Sequence, residues 1–179
     1  MFDVNDVIAL VKMLPHPRSR GLTILDMRTH DYLGARLRYV RQDFDEVFAE
    51  LTDDDLGFRP SGEMASVSDV LMEMANKEKE LIAWLRAGEW PEDDPDAFEE
   101  SATLTEIRSV FDSLREDTLR YIDSFDEDAL EELVPCPERW WEALRLDACP
   151  RSEILRNLAA HEWYHTGQLI VYMRLARET

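Results

Sequence analysis

Two of the four histidines in this chain, His161 and His165, stand four residues apart in the apolar run NLAAHEWYHTGQLIVYMRL. On a helix, such residues share a face and lie about 6 Å apart along the axis. The stripe Ile154, Leu158, His161, His165, Leu169 and Tyr172 turns both imidazoles toward the expected core. Burying two polar rings is costly unless their nitrogens find partners. A divalent cation satisfies both at once, and an i,i+4 histidine pair chelates one naturally. The plainer alternative is a pair of core histidines hydrogen-bonded to carbonyls or hydroxyls.

The same letters read H-E-x-x-H through Glu162, a pattern that on a helix can be a zinc protease site with the glutamate as general base. That chemistry takes a third ligand from further downstream. Here Glu178 lies about 20 Å along the helix from His165, out of range. No sheet edge is expected that could align an extended peptide. Glu162 is therefore expected on the flank of the site, and the third ligand upstream. The segment SVSDVLMEMANKEKELIAWL offers Asp69, Glu73, Asn76, Glu78 and Glu80. Its apolar stripe runs through Val67, Val70, Leu71, Met74, Leu81 and Leu85, with Glu73 beside it. Glu73 is the leading carboxylate and Glu78 the second; a solvated acidic face remains open for all of them.

The elements that must position these groups are long and helical. Glycine and proline are scarce, and alternating β-branched runs are missing, so the expected fold is all-α. Residues 1–21 read as a short extra N-terminal helix and the connector PHPRSRG. Residues 22–179 read as one four-helix bundle domain. A first long helix spans about 22–51, with Leu33, Leu37, Val40, Phe44 and Phe48 at helical spacing. A second runs from Ser66 to Arg86, with Ser66 and Asp69 in capping-box spacing; a third opens on Thr103 and Glu106. The acidic stretch AGEWPEDDPDAFEESA between them reads as a long crossover. Residues 125–149 are irregular or hold short helices, and Pro150 is placed for the first turn of the last helix.

The net charge of −19 argues against a nucleic-acid or anionic-membrane partner. Arg36, Arg38 and Arg41 are the nearest approach to a basic patch, diluted by Asp43, Asp45 and Glu46, and read as a solvated face. No run approaches the roughly 20 apolar residues of a membrane span, and the N-terminus lacks the basic start of a signal peptide. A cytoplasmic protein is expected, with Cys136 and Cys149 reduced.

HEWYHTGQL, followed by an apolar, arginine-containing helix end, resembles the last-helix signature of the DinB-like metalloenzyme superfamily. His161, His165, Gly167 and Gln168 match that signature position for position. The second helix is similar too, through Glu73, Glu78, Trp84 and Leu85, but the family's first metal histidine is here Glu73. The resemblance implies a four-helix bundle carrying one divalent transition metal (zinc, nickel or iron) on Glu73, His161 and His165. It further implies a small-molecule substrate and transfer to or from a low-molecular-weight thiol cosubstrate. A metal-dependent hydrolase and a non-catalytic stress-response or interaction module are the alternatives. Arg59 and Arg156 are candidates to hold the thiol, and Tyr164 to sit at the pocket mouth. Gly167 is expected to admit a neighbouring helix, and a homodimer is expected from the surplus of apolar helix faces.

Overall fold

The computed structural model describes residues 28–91, 95–136 and 146–178. The expected N-terminal helix and its connector, the start of the first long helix, and Trp140 and Trp141 lie outside the described residues. The described residues form an all-α fold: α1 (Thr29–Phe48), α2 (Val67–Ala87), α3 (Leu104–Asp123), the single turn α4 (Glu127–Leu130) and the long α5 (Arg151–Glu178). None of these helices is long and apolar enough to cross a membrane.

Local chemistry sets the helix ends. Ser66 and Asp69 form the expected capping box on α2, as do Thr103 and Glu106 on α3. Gly88 ends α2 at φ 78°, a left-handed conformation that costs glycine little. α1 has no capping side chain of its own. The carboxylate of Glu127 on α4 accepts from the amides of Thr29 at 2.7 Å and His30 at 3.0 Å instead.

Cross-helix contacts fix the topology. Tyr39 meets Trp163, and Glu50 accepts from Arg177, so α1 and α5 run parallel. α2 runs against both, since Glu73 faces His161 while Phe58, before α2, packs on Tyr172. α3 runs the same way as α2, because Ile107 and Phe111 pack with Val67 and Val70 while Tyr121 donates to the Leu85 carbonyl. Two consecutive parallel helices require a crossover the length of the bundle, as the sequence suggests. That connection is tied down by Asn76, which donates to Asp96 and accepts from the Ala97 amide, both at 2.7 Å.

Between α4 and α5 the expected irregular segment contains a two-stranded antiparallel ladder, β1 (Leu133–Pro135) against β2 (Ala148–Pro150). Pro150 therefore ends a strand, and α5 begins at Arg151, whose amide donates to the Glu132 carbonyl. Cys136 and Cys149 are free thiols held side by side. Burial, with Cys136 adjacent, pushes the Cys149 thiol up to about 12.

The core is divided in two. One apolar compartment gathers Leu33, Leu37, Ile122, Leu130, Leu155 and Leu158; the other gathers Phe44, Leu71, Ile107, Phe111, Leu169 and Tyr172. Between them lies an ionic layer with one charged residue from each long helix: Arg41, Glu78, Arg115 and Glu162. Arg41 Nε donates to Glu162 at 2.8 Å, Nη1 to the Phe111 carbonyl at 2.8 Å and Nη2 to Glu78 at 3.0 Å. Arg115 Nε and Nη2 grip both oxygens of Glu78 at 2.8 and 3.1 Å, its Nη1 reaches the Leu37 carbonyl, and Nη2 also contacts Glu162. Thr118 adds a bond to Glu78 at 2.8 Å. Burial alone would raise the carboxyl of Glu78, but Arg115 and Arg41 hold it below the usual carboxylate range. Arg41 is thus no part of a solvated face. Only Arg38 of that trio is fully exposed.

Candidate metal centre

The histidine pair sits where α5 meets α2. His161 and His165 bring their Nε2 atoms to 3.1 Å of each other, the rings inclined by 67°. The antiparallel α2 carries Glu73 to the same point, with Oε1 3.8 Å from His161 Nε2 and 3.7 Å from His165 Nε2. Among the described residues these three form the only cluster of metal-type donors this tight. The point equidistant from three atoms so spaced lies about 2.1 Å from each, the length of a zinc–imidazole or zinc–carboxylate bond.

The surroundings suit a cation. His165 Nδ1 donates to Gln168 Oε1 at 2.9 Å, and Gln168 Nε2 donates to the Tyr172 hydroxyl at 2.9 Å. With Nδ1 so engaged, His165 turns its Nε2 toward the cluster. Burial, with His165 and then Lys77 nearby, pushes His161 down to about 4, so this ring is neutral at pH 7 and its lone pair is not lost to a proton. Two imidazoles and a carboxylate, with room for further ligands, fit a divalent first-row transition metal.

The centre is on the flank of the bundle rather than at its middle, which the ionic layer occupies. His165 is buried and His161 partly so, but the Glu73 side chain is 58% exposed. Glu73 also lines a surface cleft with Asp69, Asn76, Lys77, Glu80, Asp96 and Glu100. The polar residues of α2 therefore separate. Glu73 joins the histidines, whereas Glu78, five residues on, turns into the ionic layer. Asp69 caps α2 and pairs with Arg59 at 2.9 Å, and Asn76 anchors the crossover.

Glu162, expected on the flank, is 4% exposed and fixed by both arginines. A carboxylate so engaged is no general base, which removes the protease chemistry its motif suggests. Gly167 departs from expectation as well: a Cβ there would meet nothing within 4 Å, so among the described residues no helix exploits it. Tyr164 is exposed at the rim, its ring 4.9 Å from that of His165. Lys77, one helical turn beyond Glu73, also lies beside the site, and its i+4 spacing is the sequence signal for it.

Comparison with known proteins agrees with this architecture. An uncharacterized protein of Bacillus subtilis, YizA, is 33% identical over 92 residues, covering 51% of this chain and 55% of that one; the match thus spans about half the length of the curated relative. A conserved Enterococcus faecalis protein superposes with a TM-score of 0.65 at 16% identity, over 86% of this chain and 99% of the other. A DinB-like protein from Bacillus subtilis gives 0.59 at 14% identity, over 83% and 94%. A DinB-like protein from Bacillus cereus gives 0.56 at 16%, over 80% and 90%. Residues 36–169, from the first half of α1 past both histidines of α5, match the DinB superfamily, and the chain belongs to it.

Proposed function

We propose that this chain is a metal-dependent enzyme in which Glu73, His161 and His165 hold one zinc, nickel or iron ion and a small-molecule substrate enters from the side of Glu73. The observation that carries the proposal is the spacing of three donor atoms around one point at metal–ligand distance. The general metal-binding character of the superfamily supports it. A divalent cation bound there supplies Lewis acidity that lowers the pKa of a thiol or a water at its open position.

The chain's own groups then divide the work. Gln168 keeps the proton of His165 on Nδ1, and Lys77 contributes positive charge beside the carboxylate of Glu73. The cleft at Glu73 is rich in carboxylates, so it suits a neutral or amine-bearing molecule better than a polyanion. Arg59 and Arg156 direct their charge to Asp69 and Glu153. A thiol cosubstrate without carboxylates is therefore favoured, and S-transfer is the leading reaction, with hydrolysis second. The proposal includes a homodimer, supported by the outer face of α5, where Trp163, Tyr164, Val171 and Leu175 are exposed.

Elemental analysis of tag-free protein tests the centre. Near-stoichiometric metal that falls in Glu73→Ala is expected. Absence of metal after reconstitution with zinc, nickel and iron would leave only the non-catalytic bundle. In cobalt-substituted protein, a sulfur-to-metal charge-transfer band on adding a neutral thiol separates S-transfer from hydrolysis.

A further inference from the structure

His165 is buried and tied to Gln168, but little at the cluster itself holds Glu73 against the two histidines. The Glu73 side chain is more than half exposed, and its carboxylate faces the two imidazoles across the 3.7–3.8 Å separations that a cation would bridge. A rotation of α5 by about 20° moves an atom about 6 Å from its axis by about 2 Å, a whole metal–ligand bond. Something else must set the rotation and axial position of α5 against α2.

The apolar compartments above and below fix this less sharply, since their contacts are non-directional and apolar cores tolerate repacking, losing uniqueness before they lose stability. The ionic layer is suited. Glu162 lies between the two histidines in sequence, and Glu78 lies on the helix that carries Glu73. Both carboxylates are gripped by the same two guanidinium groups, Arg41 and Arg115, themselves anchored to the Phe111 and Leu37 carbonyls of the neighbouring helices. Planar, forked hydrogen bonds specify angle as well as distance. Two positive and two negative groups leave the layer neutral, so it acts on the centre through geometry rather than through net charge.

We infer that the buried Arg41–Glu78–Arg115–Glu162 layer is the positioning device of the Glu73–His161–His165 cluster: it locks α5 against α2 so that the three donor atoms converge. The inference deepens the metal-centre proposal and rests on it for its purpose, but the geometry can be tested without a metal.

The test replaces the layer by apolar side chains of similar volume (Arg41→Met, Glu78→Leu, Arg115→Met, Glu162→Leu), an exchange that in other buried networks is neutral or stabilising. Two quantities are read: the separations of Glu73 from the two imidazoles in a crystal structure of the metal-free variant, and zinc affinity by chelator competition. Expected are separations longer by about 1 Å or more and a 10–100-fold weaker zinc affinity, with the thermal midpoint kept or raised. Unchanged separations would overturn the inference. If the quadruple variant does not fold, Glu162→Gln serves for the same readings. A smaller loosening supports the inference, and unaltered separations and affinity sink it. A wild-type protein that binds none of zinc, nickel and iron would defeat the metal-centre reading, and the separations would still decide whether the layer positions the cluster.

Discussion

Two groups of charged and polar side chains lie within about two turns of each other on α2 and α5, and they are built on opposite terms. In the ionic layer every nitrogen of both guanidinium groups has an acceptor, and all four residues are buried. At the flank, two imidazoles and a carboxylate converge on a point that none of them fills, with one side open to solvent. The first arrangement has no capacity left for a ligand. The second has nothing but such capacity. Whether a cluster of ionisable groups is a strut or a site is decided by unspent hydrogen-bonding and lone-pair valence, not by residue type.

The difference can be broken most forcefully from the closed side. Arg115→Ala leaves two carboxylates sharing one buried guanidinium and should destabilise the fold by about 3–5 kcal/mol in urea unfolding. A loss under about 1 kcal/mol would mean that the layer is not closed. On the open side, Glu73→Ala should weaken zinc binding by about 100-fold while leaving metal-free stability within about 0.5 kcal/mol, since an exposed carboxylate is removed. Chelator competition and urea titration of the stripped protein read the two halves of that expectation. Gln168→Leu should cost about tenfold in zinc affinity, because it frees His165 to move its proton to Nε2; an unchanged affinity would show that the hydrogen bond does not set the tautomer.

The smallest expected signal is in acid. The carboxyl of Glu78 is held below its ordinary value of 4.5, so the unfolded chain takes up a proton there first. The stability Glu78 contributes is complete above that value and declines as pH falls through the lower, folded-state one. Urea midpoints of metal-free protein from about pH 5 to about pH 3 should therefore fall more steeply for wild type than for the variant with an apolar layer.

Most of the fold was legible because it is written in local code. The capping boxes at Ser66–Asp69 and Thr103–Glu106 start α2 and α3 as their spacing requires. The histidine pair and Glu73 were legible for a related reason: i,i+4 spacing is local, and one further residue beside an apolar stripe completes the cluster. The ionic layer was not, because its partners are as far apart as 121 residues in sequence and each looks polar when read alone. A signal was present nonetheless. Arg41 replaces an apolar residue between Leu37 and Phe44, Glu78 between Met74 and Leu81, Arg115 between Phe111 and Ile122, and Glu162 between Leu158 and Leu169. Four interrupted stripes whose charges sum to zero are the mark of a shared layer. The short β1–β2 ladder had no such mark, since three-residue strands ending in proline carry too little periodicity to detect.

The closed layer also constrains how such a chain can drift. Any one of its four members, removed alone, strands a buried charge among the other three, so the four stand or fall as a set. Glu73 stands outside that bond. It meets mostly water, and its helix is held in place by other residues, so the residue at this position can change by a single step without disturbing the bundle. In this chain a carboxylate occupies the place where the signature it resembles carries a histidine: the exposed corner of the proposed metal centre is the part left free to be revised.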